Sequence, residues 1–232
     1  PQWRSDSLLT DTIRWAERRA MQIHSQMAPQ EAILRSIVRE PETAYTALLE
    51  QLGYEIERYF YTMVRPDLHD IPAAPCPAGL EVRPVTPDHL RKIWQAKEEA
   101  FQEHWGKRES GQADYERWLA DPIQDPALWK VAWDGEQVAG MVLNFIDSAE
   151  NQNLNRKRGY TEDIAVRRPW RRRGLASHLI AESLRMLRQR GMQEAALSVD
   201  VDNPSGALGL YERFGYEVTR REYAYSRPLP DG

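Results

Sequence analysis

Apolar residues fall at positions 175, 179, 180, 184 and 187, a helical stripe with Glu182, Arg185 and Arg188 among the polar positions, and Gly191 closes the run. Just upstream, Tyr160 to Val166 is rich in β-branched and aromatic residues and follows the turn residue Gly159, which predicts a strand. The same reading predicts a strand over Leu80 to Val85, a helix over Asp88 to Phe101 with Asp88 near its start, and a second helix over Ala113 to Leu119. Leu128 to Trp133 and Gln137 to Asn144 read as a hairpin across Asp134-Gly135. A polar loop is expected over Ser148 to Gly159. After the long helix come a strand over Ala195 to Val201, a short helix over Ser205 to Phe214, and a last strand over Tyr216 to Arg227. Antiparallel strands followed by a strand, helix and strand crossover predict an α/β (α+β) fold with a mixed sheet.

The stretch from Arg65 to Gly79 carries Pro66, Pro72, Pro75 and Pro77 and has little periodicity, as a semi-stiff linker would. What precedes it repeats what ends the chain. Gln30-Glu31-Ala32-Ile33-Leu34 matches Gln193-Glu194-Ala195-Ala196-Leu197, and Gly53-Tyr54-Glu55 matches Gly215-Tyr216-Glu217. Tyr61, Arg65 and Pro66 fall where Tyr223, Arg227 and Pro228 fall. Matches in one order at nearly constant spacing point to an internal duplication. On that register Trp3-Arg4 corresponds to Trp170-Arg171, so the first copy starts inside its own loop, and the chain is expected to be a piece of a longer tandem protein. The expected division is 1–66 as the second half of a degenerate repeat, 67–79 as linker, and 80–232 as a complete domain onto which the first repeat packs.

The chain has 232 residues, 41% hydrophobic and 28% charged, the composition of a globular protein, and no apolar run approaches membrane-spanning length. A formal net charge of -4 argues against general nucleic-acid binding. With Cys76 alone there is no intrachain disulfide, and a reducing cytoplasm is the expected compartment. Nothing near Cys76 in sequence would favour its thiolate, and no spacing of histidine and carboxylate suggests a metal.

Against that charge, the segment Val166-Arg167-Arg168-Pro169-Trp170-Arg171-Arg172-Arg173-Gly174-Leu175-Ala176-Ser177 is basic and joins a strand to a helix. A run of arginines alone is most often a solvated surface. Between a strand and an amphipathic helix it becomes an anion cradle, because the helix start presents N–H groups without partners and the positive end of its dipole.

These residues resemble the GCN5-related N-acetyltransferases (GNAT superfamily), and the tandem layout resembles that superfamily's mycothiol-synthase-like branch. The Arg/Gln-x-x-Gly-x-Gly/Ala motif of that superfamily appears as Arg171-Arg172-Arg173-Gly174-Leu175-Ala176. A second signature appears as Asn203-Pro204-Ser205-Gly206-Ala207-Leu208-Gly209-Leu210-Tyr211-Glu212-Arg213-Phe214-Gly215-Tyr216. The resemblance implies a sheet whose fourth and fifth strands splay, with acetyl-CoA as cofactor. Its pantetheine arm would run along Ile164, Ala165 and Val166, and its pyrophosphate would sit on the backbone from Arg171 through Arg172, Arg173, Gly174, Leu175 and Ala176 to Ser177. Asn203 would help seat the cofactor, and Tyr211 would be the acid toward the coenzyme A sulfur. The implied activity is direct transfer of an acetyl group to a primary amine of a small molecule.

For the base, Glu162 is the first choice, with amine binding as its alternative role. Strand alternation would put Glu162, Ile164 and Val166 on one face and Asp163 on the other. Substrate selection is expected from Glu98, Phe101 and Trp105, with Glu99, Glu103, His104 and Arg108 nearby, since acidic and aromatic groups suit a cationic amine. The first copy has Leu49 in the place of Tyr211, Ser7 near that of Gly174 and Glu40 near that of Asn203, so it is expected to be catalytically silent. Two other readings remain, a non-catalytic acyl-CoA-binding or regulatory module and acetylation of a protein N-terminus.

Overall fold

The computed structural model describes residues 6–26, 32–102, 105, 110–202 and 206–229. Its elements run α1 (Asp6–His24), β1 (Ile33–Arg39), α2 (Thr43–Gln51), β2 (Glu55–Arg65), β3 (Glu81–Arg83), α3 (Leu90–Ala100) and α4 (Gln112–Ala120). There follow β4 (Lys130–Asp134), β5 (Gln137–Phe145), α5 (Ser148–Asn153), β6 (Arg158–Val166), α6 (Leu175–Gln189), β7 (Glu194–Asp200), α7 (Ala207–Arg213) and β8 (Glu217–Pro228). The α/β fold with a mixed sheet expected from the pattern is present. One element departs from expectation: the polar loop over Ser148 to Gly159 is half helix. Asp147 caps α5 by accepting the Glu150 N–H at 2.8 Å, and β6 starts two residues early, at Arg158.

The chain forms two compact units. The first comprises Pro1–Thr62, Val199–Asp202 and Val218–Gly232, the second Met63–Ser198 and Asn203–Glu217. β8 therefore belongs with the first unit, where it pairs antiparallel with β1 from Ile33↔Pro228 to Arg39↔Glu222. Ile13, Val38, Leu49, Tyr54 and Tyr225 form the buried core there. Arg227 donates to the Leu52 carbonyl just ahead of Gly53, whose φ is 79°. The second unit contains the corresponding arrangement: Arg65 donates to the Phe214 carbonyl just ahead of Gly215, whose φ is 75°. Arg65 also donates to the carbonyls of Asp67 and His69, so this buried guanidinium fixes the chain that leaves β2. A Cβ on Gly215 would lie 2.9 Å from Arg65 Nη1, so side chain and glycine occupy complementary space.

In the second unit the strands lie in the order β7-β6-β5-β4-β3, with β6 and β7 parallel and the other neighbours antiparallel. All of β5 from Val138 to Leu143 is buried, as a central strand covered on both faces must be. One face packs Val138, Met141 and Leu143 against Ile93, Ala96 and Ala100 of α3 together with Trp129 and Trp133. The other receives α6. Glycines set how closely α6 sits: a Cβ on Gly140 would lie 3.1 Å from Leu175 Cδ2, and one on Gly159 would lie 2.4 Å from Leu187 Cδ2. Both ends of α6 thus rest on strand positions without side chains, which fixes where its N-terminus lies over β6. The proline-rich segment follows α6 as a strap. The His178 ring Nδ1 is 2.8 Å from the Ala74 carbonyl, Arg173 donates to Ala78 at 3.0 Å, and Arg185 donates to Pro72 at 3.3 Å.

Candidate active site

The parallel pair β6 and β7 is in register only over Arg158↔Glu194, Gly159↔Ala195 and Tyr160↔Ala196. Beyond that point the strands part. Thr161 Oγ1 reaches toward the Ala196 carbonyl at 3.4 Å and shares a 2.7 Å hydrogen bond with the fully buried Tyr216 hydroxyl. One residue on, the Glu162 carboxylate accepts the Ser198 N–H at 2.9 Å, so a side chain stands where a ladder bond would otherwise form. Past Glu162, the β7-facing main chain of Ile164, Ala165 and Val166 has no paired strand among the described residues.

The expected alternation over Glu162, Ile164 and Val166 is corrected by a bulge. β5 pairs Met141 with Ala165 but Leu143 with Glu162, so three steps of β6 oppose two of β5, and Asp163 takes up the extra residue at φ 46°. Glu162 and Ala165 are the partners of Leu143 and Met141, which lie on the α3 face, whereas Val166 is close to Leu175 of α6. The bulge turns the carboxylate across the opening between the strands, and that directs it more firmly than simple alternation would. It also brings Asp163 to α3, where its carboxylate pairs with Lys97 Nζ at 2.8 Å.

Burial holds the Glu162 carboxyl protonated up to about 8, with the adjacent Asp163 charge adding to the shift and the Ser198 hydrogen bond opposing it. Tyr211, on α7, is 7% exposed, and its ring meets Tyr216 edge-on at 6.2 Å. Its hydroxyl makes no hydrogen bond among the described residues. Burial and the nearby Glu162 charge both raise its proton affinity, which keeps it a neutral donor. Tyr211, far from Glu162 in sequence, therefore stands close enough to feel the Glu162 charge.

At the far end of β6 the loop is rigidly built. Arg167 N–H donates to Ala139 O at 3.0 Å, the Trp170 indole donates to Asp134 at 2.9 Å, and Arg171 Nε donates back to Val166 O at 2.9 Å. Arg172 at φ 61° and Gly174 at φ 86° are both left-handed, which folds the chain into the start of α6. Leu175, Ala176 and Ser177 open that helix, so no carbonyl within it takes their N–H groups. The turn thus presents main-chain N–H groups without helical partners at the end of the parted strands. The side chain of Arg173 is engaged with the strap, away from this turn.

The substrate residues read from the sequence are only partly placed. Glu98 and Phe101 lie at the end of α3, and Trp105 is half-buried. Glu99 is committed elsewhere, pairing with Arg167 at 2.7 Å. Asn203, Glu103, His104 and Arg108 lie outside the described residues. Sequence reasoning missed Lys97, Ser198, Thr161 and Tyr216. Lys97 did carry a signal: it stands four residues after Ile93 and three before Ala100, on the stripe that α3 buries. Among the described residues, no group of three or more histidine, cysteine, aspartate or glutamate side chains is placed to hold a metal ion.

Residues 90–216 match the Acetyltransferase (GNAT) family, and the chain belongs to that family. A solved GCN5-related N-acetyltransferase from Sphaerobacter thermophilus shares its fold at a TM-score of 0.80 and 30% identity, covering 100% of this chain and 71% of that one. The chain is 34% identical over 102 residues to N-alpha-acetyltransferase 30 of Schizosaccharomyces pombe, covering 44% of this chain and 65% of that protein. It is 30% identical over 180 residues to a mycothiol acetyltransferase of Streptomyces scabiei, covering 77% of this chain and 56% of that protein. It thus spans less than two thirds of the length of both these relatives.

Proposed function

We propose that this protein transfers the acetyl group of acetyl-CoA directly to a primary amine of a small molecule, with Glu162 as base and Tyr211 as acid. The observation that carries the reading is Glu162 itself, a carboxylate with a proton affinity near neutrality set across the gap between two parted parallel strands. Acetyl-CoA fits the residues present. The unpaired edge of Ile164, Ala165 and Val166 suits an extended pantetheine arm, and the turn from Arg171 to Ser177 suits a pyrophosphate, with Asn203 as a further contact. The bound cofactor supplies an electrophilic thioester carbonyl. Glu162 takes the proton of the attacking amine, the Val166 N–H or a neighbouring one polarises the carbonyl oxygen, and Tyr211 protonates the departing thiolate as the carbon–sulfur bond breaks. Glu98, Phe101 and Trp105 select the amine.

Residues 1–66 serve as a degenerate second copy. The two arginine and glycine pairs, Arg65 with Gly215 and Arg227 with Gly53, favour this duplication, and Leu49 in the place of Tyr211 leaves the copy without an acid. A cytoplasmic setting suits Cys76, whose thiol burial holds in the neutral form.

The similarity to N-alpha-acetyltransferase 30 supports a second reading, a peptide N-terminus as acceptor. A panel of polyamines, amino sugars, aminoglycosides, cysteinyl thiol precursors and short peptides, assayed for thiol release from acetyl-CoA, tests both. Turnover restricted to peptides would replace the small-molecule reading. Failure with every amine, alongside micromolar coenzyme A binding, would make the chain a binding module.

A further inference from the structure

Lys97 is the one cation seen to engage the bulge of β6 among the described residues. Its ammonium lies 2.8 Å from the Asp163 carboxylate and 5.9 Å from the centroid of the Trp118 ring, which stacks on Trp129 at 5.2 Å. Both members of the ion pair are largely screened from solvent, at 20% and 30% side-chain exposure, so the pair is less weakened by water than a surface pair. Asp163 is the residue that takes the left-handed conformation, and Glu162 precedes it. An aspartate tolerates that conformation better than most residues but is not held in it by its own chemistry.

We propose that Lys97 is a positioning residue of the reaction: by clamping Asp163 from α3 it holds the bulge that aims Glu162 across the parted strands. The inference rests on the reading of Glu162 as base. The titratable groups facing Glu162 are Asp163 on its own strand, Tyr211 on α7 and Tyr216 ahead of β8, and β7 contributes the Ser198 N–H. Of these, the Asp163 charge is the one that pushes the Glu162 carboxyl up. Lys97 balances that charge, and without it the neighbouring Glu162 would hold its proton to higher pH and would be free to swing from Ser198.

The test compares pH profiles of kcat/KM for the wild-type chain, Lys97→Met, Lys97→Gln, Lys97→Arg and Glu162→Gln. It is joined to a ¹³C NMR titration of the side-chain carboxyls, in which Glu162 is assigned by its loss in the glutamine variant. In Lys97→Met the acid limb and the Glu162 titration should both move up by about half to one pH unit, with kcat/KM at pH 7 down roughly three- to tenfold. Lys97→Arg should restore most of both. Should Lys97→Met fail to fold by circular dichroism, Lys97→Gln carries the same comparison. A Glu162 titration that stays in place in the neutral variants overturns the role of Lys97 even if activity falls. A wild-type limb that survives Glu162→Gln instead overturns the assignment of the base, and the inference falls with it.

Discussion

The Glu162 carboxylate accepts a hydrogen bond from the Ser198 N–H at 2.9 Å, across the place where β6 and β7 cease to pair. A carboxylate in that position prevents the strands from closing and is itself desolvated, so one side chain shapes the cleft and acquires a basicity suited to an amine proton. A carboxyl with its ordinary proton affinity would be ionised at pH 7 but a weak base. Glu162, titrating near 8, has the proton affinity that its proposed role as base requires.

The pH dependence follows with a definite sign. As the proposed base Glu162 would work only when ionised, so kcat/KM should rise with pH and level off above about 8. Glu162→Gln should remove that limb and lower kcat/KM at pH 8 by roughly 10²- to 10⁴-fold. Stability should respond in the opposite sense. Because the folded carboxyl holds its proton more tightly than the unfolded one, its contribution is complete below the unfolded value of 4.5 and is lost as pH rises to about 8. Thermal melts should therefore decline less for Glu162→Gln than for the wild type between those limits. A wild-type profile flat from pH 6 to 9 would remove Glu162 from the proton transfer.

Tyr211→Phe tests the proposed acid. The hydroxyl has no hydrogen-bond partner among the described residues, while the ring is buried and packs edge-on against Tyr216, so phenylalanine keeps the packing. Turnover should fall about 10²-fold, with coenzyme A affinity by calorimetry changed less than threefold. Equal loss of both would recast Tyr211 as a cofactor contact.

Much of this architecture is legible in the residue pattern alone. α6 shows a 3.6-residue stripe, the β4–β5 hairpin turns on Asp134-Gly135, and Gly174 stands at a helix start, each a local rule that tertiary packing had no reason to override. The features that the pattern hides follow no local rule. α5 is a helix of Ser, Ala, Glu, Asn and Gln with no apolar stripe, held by its Asp147 cap. The bulge at Asp163 depends on pairing with β5, and the Ser198 contact is made by backbone, which leaves no mark in side-chain identity. The strap over α6 reads as linker because its own residues are mostly prolines and small, while the groups that fasten it, Arg173, His178 and Arg185, lie about a hundred residues away.

Gly174→Ala probes the anion turn. No atom lies within 4 Å of the Cβ it would add, so packing is unaffected, but at φ 86° an alanine costs about 1–2 kcal/mol or the turn relaxes. Relaxation moves the N–H groups of Leu175 and Ala176, and coenzyme A affinity should fall about tenfold, with a smaller loss for a truncated donor such as the N-acetylcysteamine thioester, which has no pyrophosphate. Unchanged coenzyme A affinity would mean that the pyrophosphate is held elsewhere.

The first unit offers the complementary case at the position matching Tyr211. Leu49 is 1% exposed and packs with Val38, Tyr54 and Tyr225, an apolar residue where the proposed duplication aligns it with the Tyr211 hydroxyl. If this half serves only as structure, Leu49→Ala should act through the cavity it leaves, costing about 2–5 kcal/mol in denaturant unfolding. Turnover per folded molecule and the pH profile should stay as in the wild type, because no proton passes through this site. A large fall in kcat at full occupancy of folded protein would show that the first unit takes part in the chemistry after all.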